Sequence, residues 1–148
     1  MTKTQSGEQH EIILESGAVT AVLVDFRVGI FIREVRADVR VFLNTPFCVE
    51  ESDGRSAMVT PGKIETLGPV LLFWNRNVVR IVIFPDGSLM IERSDGARIR
   101  AISNDTFEAW ELSANSPGEE LMIICGPEGR VSTFRGSPKT EGRSTSST

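Results

Sequence analysis

The residues in this chain that could do chemistry are few and scattered. The only histidine, His10, lies in a polar stretch near the start. A lone exposed histidine reads as a solvated side chain rather than a general base. The two cysteines, Cys48 and Cys125, each sit in an apolar run, distant from one another. Without a second histidine, the usual zinc sets shrink to these thiols and carboxylates, and no close pair supplies metal spacing. Both read as buried thiols acting as small hydrophobes, with a disulfide between distant strands as the alternative. A Cys–His pair using His10 has no supporting motif.

Carboxylates do cluster: Glu50-Glu51 with Asp53, Glu108 with Glu111, and Glu119-Glu120. A glycosidase needs two carboxyl groups facing one another across a cleft. Adjacent acids on a strand point to opposite faces, so Glu50 and Glu51 cannot both serve one cleft. These acids read as solvated surface groups. The glycines fall singly in turns such as Asp86-Gly87 and Asp95-Gly96, with no GxGxxG or GxxxxGK[ST] loop and no GxSxG elbow. The sequence therefore implies no catalytic residue, no metal and no cofactor.

Two tryptophans remain. In Phe107-Glu108-Ala109-Trp110-Glu111-Leu112, a strand would put Phe107, Ala109 and Glu111 on one face and Glu108, Trp110 and Leu112 on the other. The structural reading places Trp110 in a core with Glu108 or Glu111 at the rim. The functional reading makes Trp110, Glu108 and Glu111 part of an interaction surface, because tryptophan is enriched among interface anchors. Phe73-Trp74 carries the same two readings, and Trp74 joins that candidate surface.

The elements that must position these residues are mostly strands. Short apolar runs alternate with turn residues: Glu11–Leu14 closed by Ser16-Gly17, Val19–Phe26, Gly29–Glu34, Val39–Leu43, Phe47–Glu51 and Ser56–Val59. Thr60-Pro61 resembles a helix start. Ile64, Leu67, Leu71 and Trp74 recur at helical spacing, predicting a helix within residues 62–75 that packs on a sheet. Gly68-Pro69 would kink it or split it into two short turns. Strands return at Val78–Phe84, Leu89–Arg93, Arg98–Ile102, Phe107–Leu112, Leu121–Cys125 and Arg130–Phe134, joined by Pro85-Asp86-Gly87-Ser88, Ser94-Asp95-Gly96 and Gly126–Gly129 turns. Val19–Val41 and Val78–Ile99 share one layout, as two similar meanders flanking the helix. The fold class is α+β, mainly β: antiparallel hairpin meanders with one central helix packed on a sheet.

The 148 residues fit one domain. Residues 1–10 read as a flexible arm, 11–134 as the globular domain, and the Ser/Thr/Gly-rich stretch 135–148 as a disordered tail. The net charge is −4, and the tail holds Arg135, Lys139 and Arg143 against Glu141, so the folded body is more acidic than the total. That argues against nucleic acid and against an anionic membrane as partners. No run approaches the roughly 18 apolar residues of a membrane span, and the start has no apolar signal segment, so a cytoplasmic location is expected.

The stretches Gly17–Phe26, Phe84–Leu89 and Phe107–Leu112, with the apolar helix between, resemble a family of small actinobacterial proteins known only as a domain of unknown function. The likeness covers residues 15–135, and its best-marked motif is the Phe-Glu-Ala-Trp-Glu-Leu strand. Where that family's pattern has an Asp-Gly turn, this chain has Glu34-Val35-Arg36-Ala37-Asp38, which leaves the register of the first hairpin open. The resemblance implies a cytoplasmic accessory protein and supplies no catalytic residues. In size, acidity and β-rich form the chain is also similar in type to immunity proteins of bacterial toxin systems.

Three functions follow. The first is a non-enzymatic protein-binding module of the immunity or adaptor type, whose acidic body steers a basic partner. The second is a binder of a small apolar ligand, with a pocket near Trp74 or Trp110. The third is an enzyme with converging carboxylates of shifted pKa. Exposed edge strands make a homodimer plausible.

Overall fold

The computed structural model describes Thr2–Thr4 and residues 9–136. In chain order the elements are β1 (Thr2–Thr4), β2 (His10–Val24), β3 (Val28–Arg33), β4 (Asp38–Leu43), β5 (Phe47–Glu50) and β6 (Ser56–Val59). A 3₁₀ turn (Ile64–Thr66) and α1 (Gly68–Leu71) follow. Then come β7 (Asn77–Ile83), β8 (Leu89–Arg93), β9 (Arg98–Ala101), β10 (Trp110–Ser116), β11 (Glu119–Cys125) and β12 (Val131–Gly136). Among the described residues, all twelve strands join one antiparallel sheet in the order β1-β12-β11-β10-β4-β3-β2-β7-β8-β9-β5-β6.

The strands form because their apolar residues alternate. In β4, Val39, Val41 and Leu43 are buried while Arg40 is exposed; in β9, Ile99 and Ala101 are buried while Arg100 is exposed. The sheet curls so that its two halves close on a single core, which takes Val41 and Leu112 from one half and Ile81, Ile91 and Val49 from the other. Contact across that core is direct. The Trp110 indole N–H on β10 donates to the carbonyl of Gly87, at the β7–β8 hairpin tip, at 2.9 Å.

Strand β2 serves both halves. His10–Ile13 and Gly17–Ala18 pair with β7, and Ala18–Val24 pair with β3. The register with β7 shifts between Ile13 and Gly17. Ser16-Gly17 was expected to end a strand; it is instead a bend inside one. A Cβ on Gly17 would lie 2.9 Å from both the Leu14 side chain and the Val78 carbonyl. The missing side chain thus lets β7 come close where its pairing with β2 resumes after the bulge.

The two meanders seen in the sequence are β2-β3-β4 and β7-β8-β9, joined through the β2–β7 pairing. The first hairpin keeps continuous register from Val28↔Leu43 to Arg33↔Asp38. It closes without glycine, through Glu34 N–H to Ala37 C=O at 2.8 Å.

Three expectations need correction. The single helix expected within 62–75 does not form; its alternative, two short turns split at Gly68-Pro69, does, as a 3₁₀ turn and a four-residue α1. The buried residues of this stretch are Leu67, Val70 and Phe73, three apart, while Ile64, Leu71 and Trp74 face solvent. Spacing of three is the 3₁₀ repeat rather than the α-helical one, and Pro69 removes a donor just where a longer helix would need it. The first ten residues are not all loose: Thr2–Thr4 pair with Thr133–Arg135, and His10 begins β2. Arg135 and Gly136, placed in the tail by the sequence, end β12; the rest of that tail lies outside the described residues.

Candidate functional site

Three chain segments that are far apart in sequence meet at one end of the molecule. They are the β7–β8 tip, the 102–109 loop and the β11–β12 turn. Asn104 organises the loop. Its side-chain oxygen accepts from the amides of Thr106 and Phe107 at 2.8 and 3.0 Å, and its carbonyl accepts from the Glu128 amide at 2.8 Å. These bonds hold Phe107 and Glu108 off the ladder, so β10 starts at Trp110 rather than at Phe107. The β7–β8 tip packs backbone to backbone on the β11–β12 turn. A Cβ on Gly129, whose φ is 76°, would collide with the Asp86 carbonyl oxygen.

Trp110 lies beneath this end. It is fully buried, so it holds the loops together and presents no surface to a partner. Of the four residues singled out from sequence, only Glu108 and Glu111 come together. Trp74 follows α1 and is 59% exposed, while its neighbour Phe73 is in the core under the Arg93 guanidinium, 5.0 Å from the ring centre.

Of the carboxylates at this end, Asp86 is held below its ordinary value by hydrogen bonds from Ser88, and Glu128 pairs with Arg130 at 3.4 Å; Glu108 differs. The Glu108 carboxyl is pushed above its ordinary value by partial burial, then by the like charge of Glu111; Arg27 opposes both. Arg27 stands 3.7 Å from Glu111 and lies over the Phe42 ring at 3.9 Å from its centre. Phe42 meets Phe31 edge-on at 5.7 Å. Asp86 and Glu108 are also near enough to Cys125 to add to the rise of its thiol, which burial first drives up to about 11. Cys125 is therefore a protonated, unreactive thiol at neutral pH. It donates to the Gly87 carbonyl at 3.3 Å, and both cysteines are free. Among the described residues, no three His, Cys, Asp or Glu side chains are grouped to hold a metal ion.

Large apolar side chains are exposed beside these acids. Phe107 is 64% exposed and Phe26, in the β2–β3 turn next to Arg27, is 93% exposed. Composition concealed this grouping, because Asp86, Glu108 and Glu128 belong to three separate turns.

A concavity lies beside the β6 edge of the sheet. Val49, Glu51, Arg55, Ser56 and Ala57 face Pro69 and Leu72 across a groove of about 380 Å³. A pocket was expected near Trp74 or Trp110; neither tryptophan lines this groove.

The family described as "Family of unknown function (DUF6188)" matches residues 10–135. The chain belongs to the DUF6188 family. No curated protein and no solved structure matches this DUF6188 chain. Among the described residues, no helix is long and apolar enough to cross a membrane.

Proposed function

We propose that the chain is a non-catalytic protein-binding module that receives a basic partner at its acidic end. The observation that carries this reading is the grouping of Glu108 with Glu111 around Arg27, with Phe107 and Phe26 exposed at the same end. The charge on Glu108 is disfavoured by burial and by Glu111, and Arg27 is shared with Glu111 rather than devoted to Glu108. A lysine or arginine from a partner would relieve that repulsion, and apolar partner surface would cover Phe107 and Phe26. The acidic field would raise the association rate. The same field disfavours nucleic acid and anionic membrane as partners. An immunity-type or adaptor role in the cytoplasm of an actinobacterium accords with this chemistry and with the family resemblance.

The test is a tagged pull-down from host lysate across a salt series, with Glu108→Lys/Glu111→Lys as the paired control. A stoichiometric basic partner, released by salt and lost in the double variant, supports the proposal. Capture that ignores both salt and the double variant, or no capture at all, overturns it.

A further inference from the structure

Among the described residues the sheet ends at β6, and the parity of its hydrogen bonds shows what that edge offers. The Glu51 amide donates to the Arg55 carbonyl at 2.7 Å, closing the β5–β6 hairpin. Hydrogen-bonded pairs alternate along an antiparallel ladder. The paired positions are therefore Val49↔Ala57 and Phe47↔Val59, while Glu50↔Ser56 and Cys48↔Met58 turn their backbone groups away from each other. The Ser56 and Met58 N–H and C=O groups accordingly point outward along the free edge.

The groove runs beside that edge. Its strand wall continues the core-facing rows Phe47-Val49-Glu51 and Val59-Ala57-Arg55, and its far wall is Pro69 and Leu72 of the α1 segment. Any chain laid along β6 would drop alternate side chains into this space. The groove also carries a charge preference. Glu51 lines one end and has no cationic partner among the described residues, because Arg55 gives its Nε to Asp53 at 2.7 Å.

We propose that the β6 edge and this groove bind an extended peptide segment as an added antiparallel strand. The segment has small or branched apolar residues at alternate positions and a lysine or arginine at its C-terminal end. Antiparallel pairing sets that end beside Glu51, since β6 runs away from Glu51. Backbone bonds to Ser56 and Met58 supply affinity, and the groove and Glu51 supply selectivity. The site shares no residue with the acidic end and stands independently of the function proposed there.

The test is an NMR titration of the full chain with the peptide acetyl-Thr-Val-Thr-Val-Thr-Lys-amide. Amide shifts should concentrate at Ser56, Met58 and Leu72. Met58→Pro removes one outward donor at an edge position where proline is tolerated, and should weaken binding about tenfold, the loss expected for a hydrogen bond. Met58→Ala keeps that donor and should bind like the parent. Glu51→Gln should weaken binding about threefold and remove its salt dependence. Equal binding by the proline and alanine variants would show that the backbone edge is not used and would overturn the proposal. So would the absence of shifts at millimolar peptide, or β6 shifts that grow with protein concentration alone, which would mark the edge as a contact between two copies.

Discussion

Two charged regions of this molecule use the same residue types to opposite effect. On the outer face of β2-β7-β8-β9-β5, acids and bases alternate from strand to strand. Glu11 meets Arg80 at 3.0 Å, Arg80 meets Glu92 at 2.6 Å, Arg98 lies 3.4 Å from Glu92, and Arg100 meets Glu50 at 3.1 Å. The Arg80 hydrogen bond holds the Glu92 carboxyl below its ordinary value, outweighing the burial that acts against it. At the acidic end, burial and repulsion raise Glu108 instead. In the ladder, strand register sets Arg80 opposite Glu92, and Arg98 opposite both Glu92 and Glu50. At the loop end three turns converge with no register between them, so Glu108 and Glu111 come to share Arg27. The contrast separates a surface whose acids are paired from one where an incoming cation can still stabilise Glu108.

The comparison can be broken most severely from below. Trp110→Ala should cost about 3–5 kcal/mol in urea unfolding, as for large buried aromatics elsewhere. It should also release the loops around Glu108, seen as faster amide exchange there than in the ladder. Gly129→Ala attacks the same end through the backbone. The left-handed φ and the collision with Asp86 should cost about 1–3 kcal/mol.

Charge itself is tested by pH. Glu92 has a lowered folded-state pKa, so its stabilisation is complete above the ordinary value of 4.5 and is lost as pH falls through the lower folded value. Glu92→Gln should therefore cost about 1 kcal/mol at pH 7 and little at pH 2. Glu108 runs the other way. Its raised folded-state pKa means that a penalty builds as pH rises from 4.5 through the higher folded value. Glu108→Gln should stabilise by a few tenths of a kcal/mol at pH 7 and by nothing at pH 3. Equal signs for the two variants at neutral pH would remove the distinction between the regions.

Much of the strand pattern was legible in the sequence, because alternation and turn chemistry are local. Val39-Arg40-Val41 announced a half-buried strand, and Asp86-Gly87 announced a hairpin whose Gly87 has a φ of 89°. Ser16-Gly17 misled because a bend inside a long strand uses the same small residues as a turn. The helix misled because Leu67, Val70 and Phe73 set the buried face at a spacing of three, while Leu71 and Trp74 fitted an α-helical stripe that faces solvent. The pairing of Glu108 with Glu111 was legible as short spacing. Their company with Arg27 and Asp86 was not, since it depends on which strands become neighbours. The open edge at β6 likewise exists only once strand order is known.

Strand β2 belongs to both halves, and this bears on how the molecule comes apart. Melting either half strips hydrogen bonds from one end of a rod whose other end anchors the second half. The two halves should therefore lose structure in a single cooperative step, with calorimetric and van't Hoff enthalpies in agreement. Severing the chain at Ser16-Gly17 would yield no autonomous fragment, because each piece would carry an unpaired strand face over half a core.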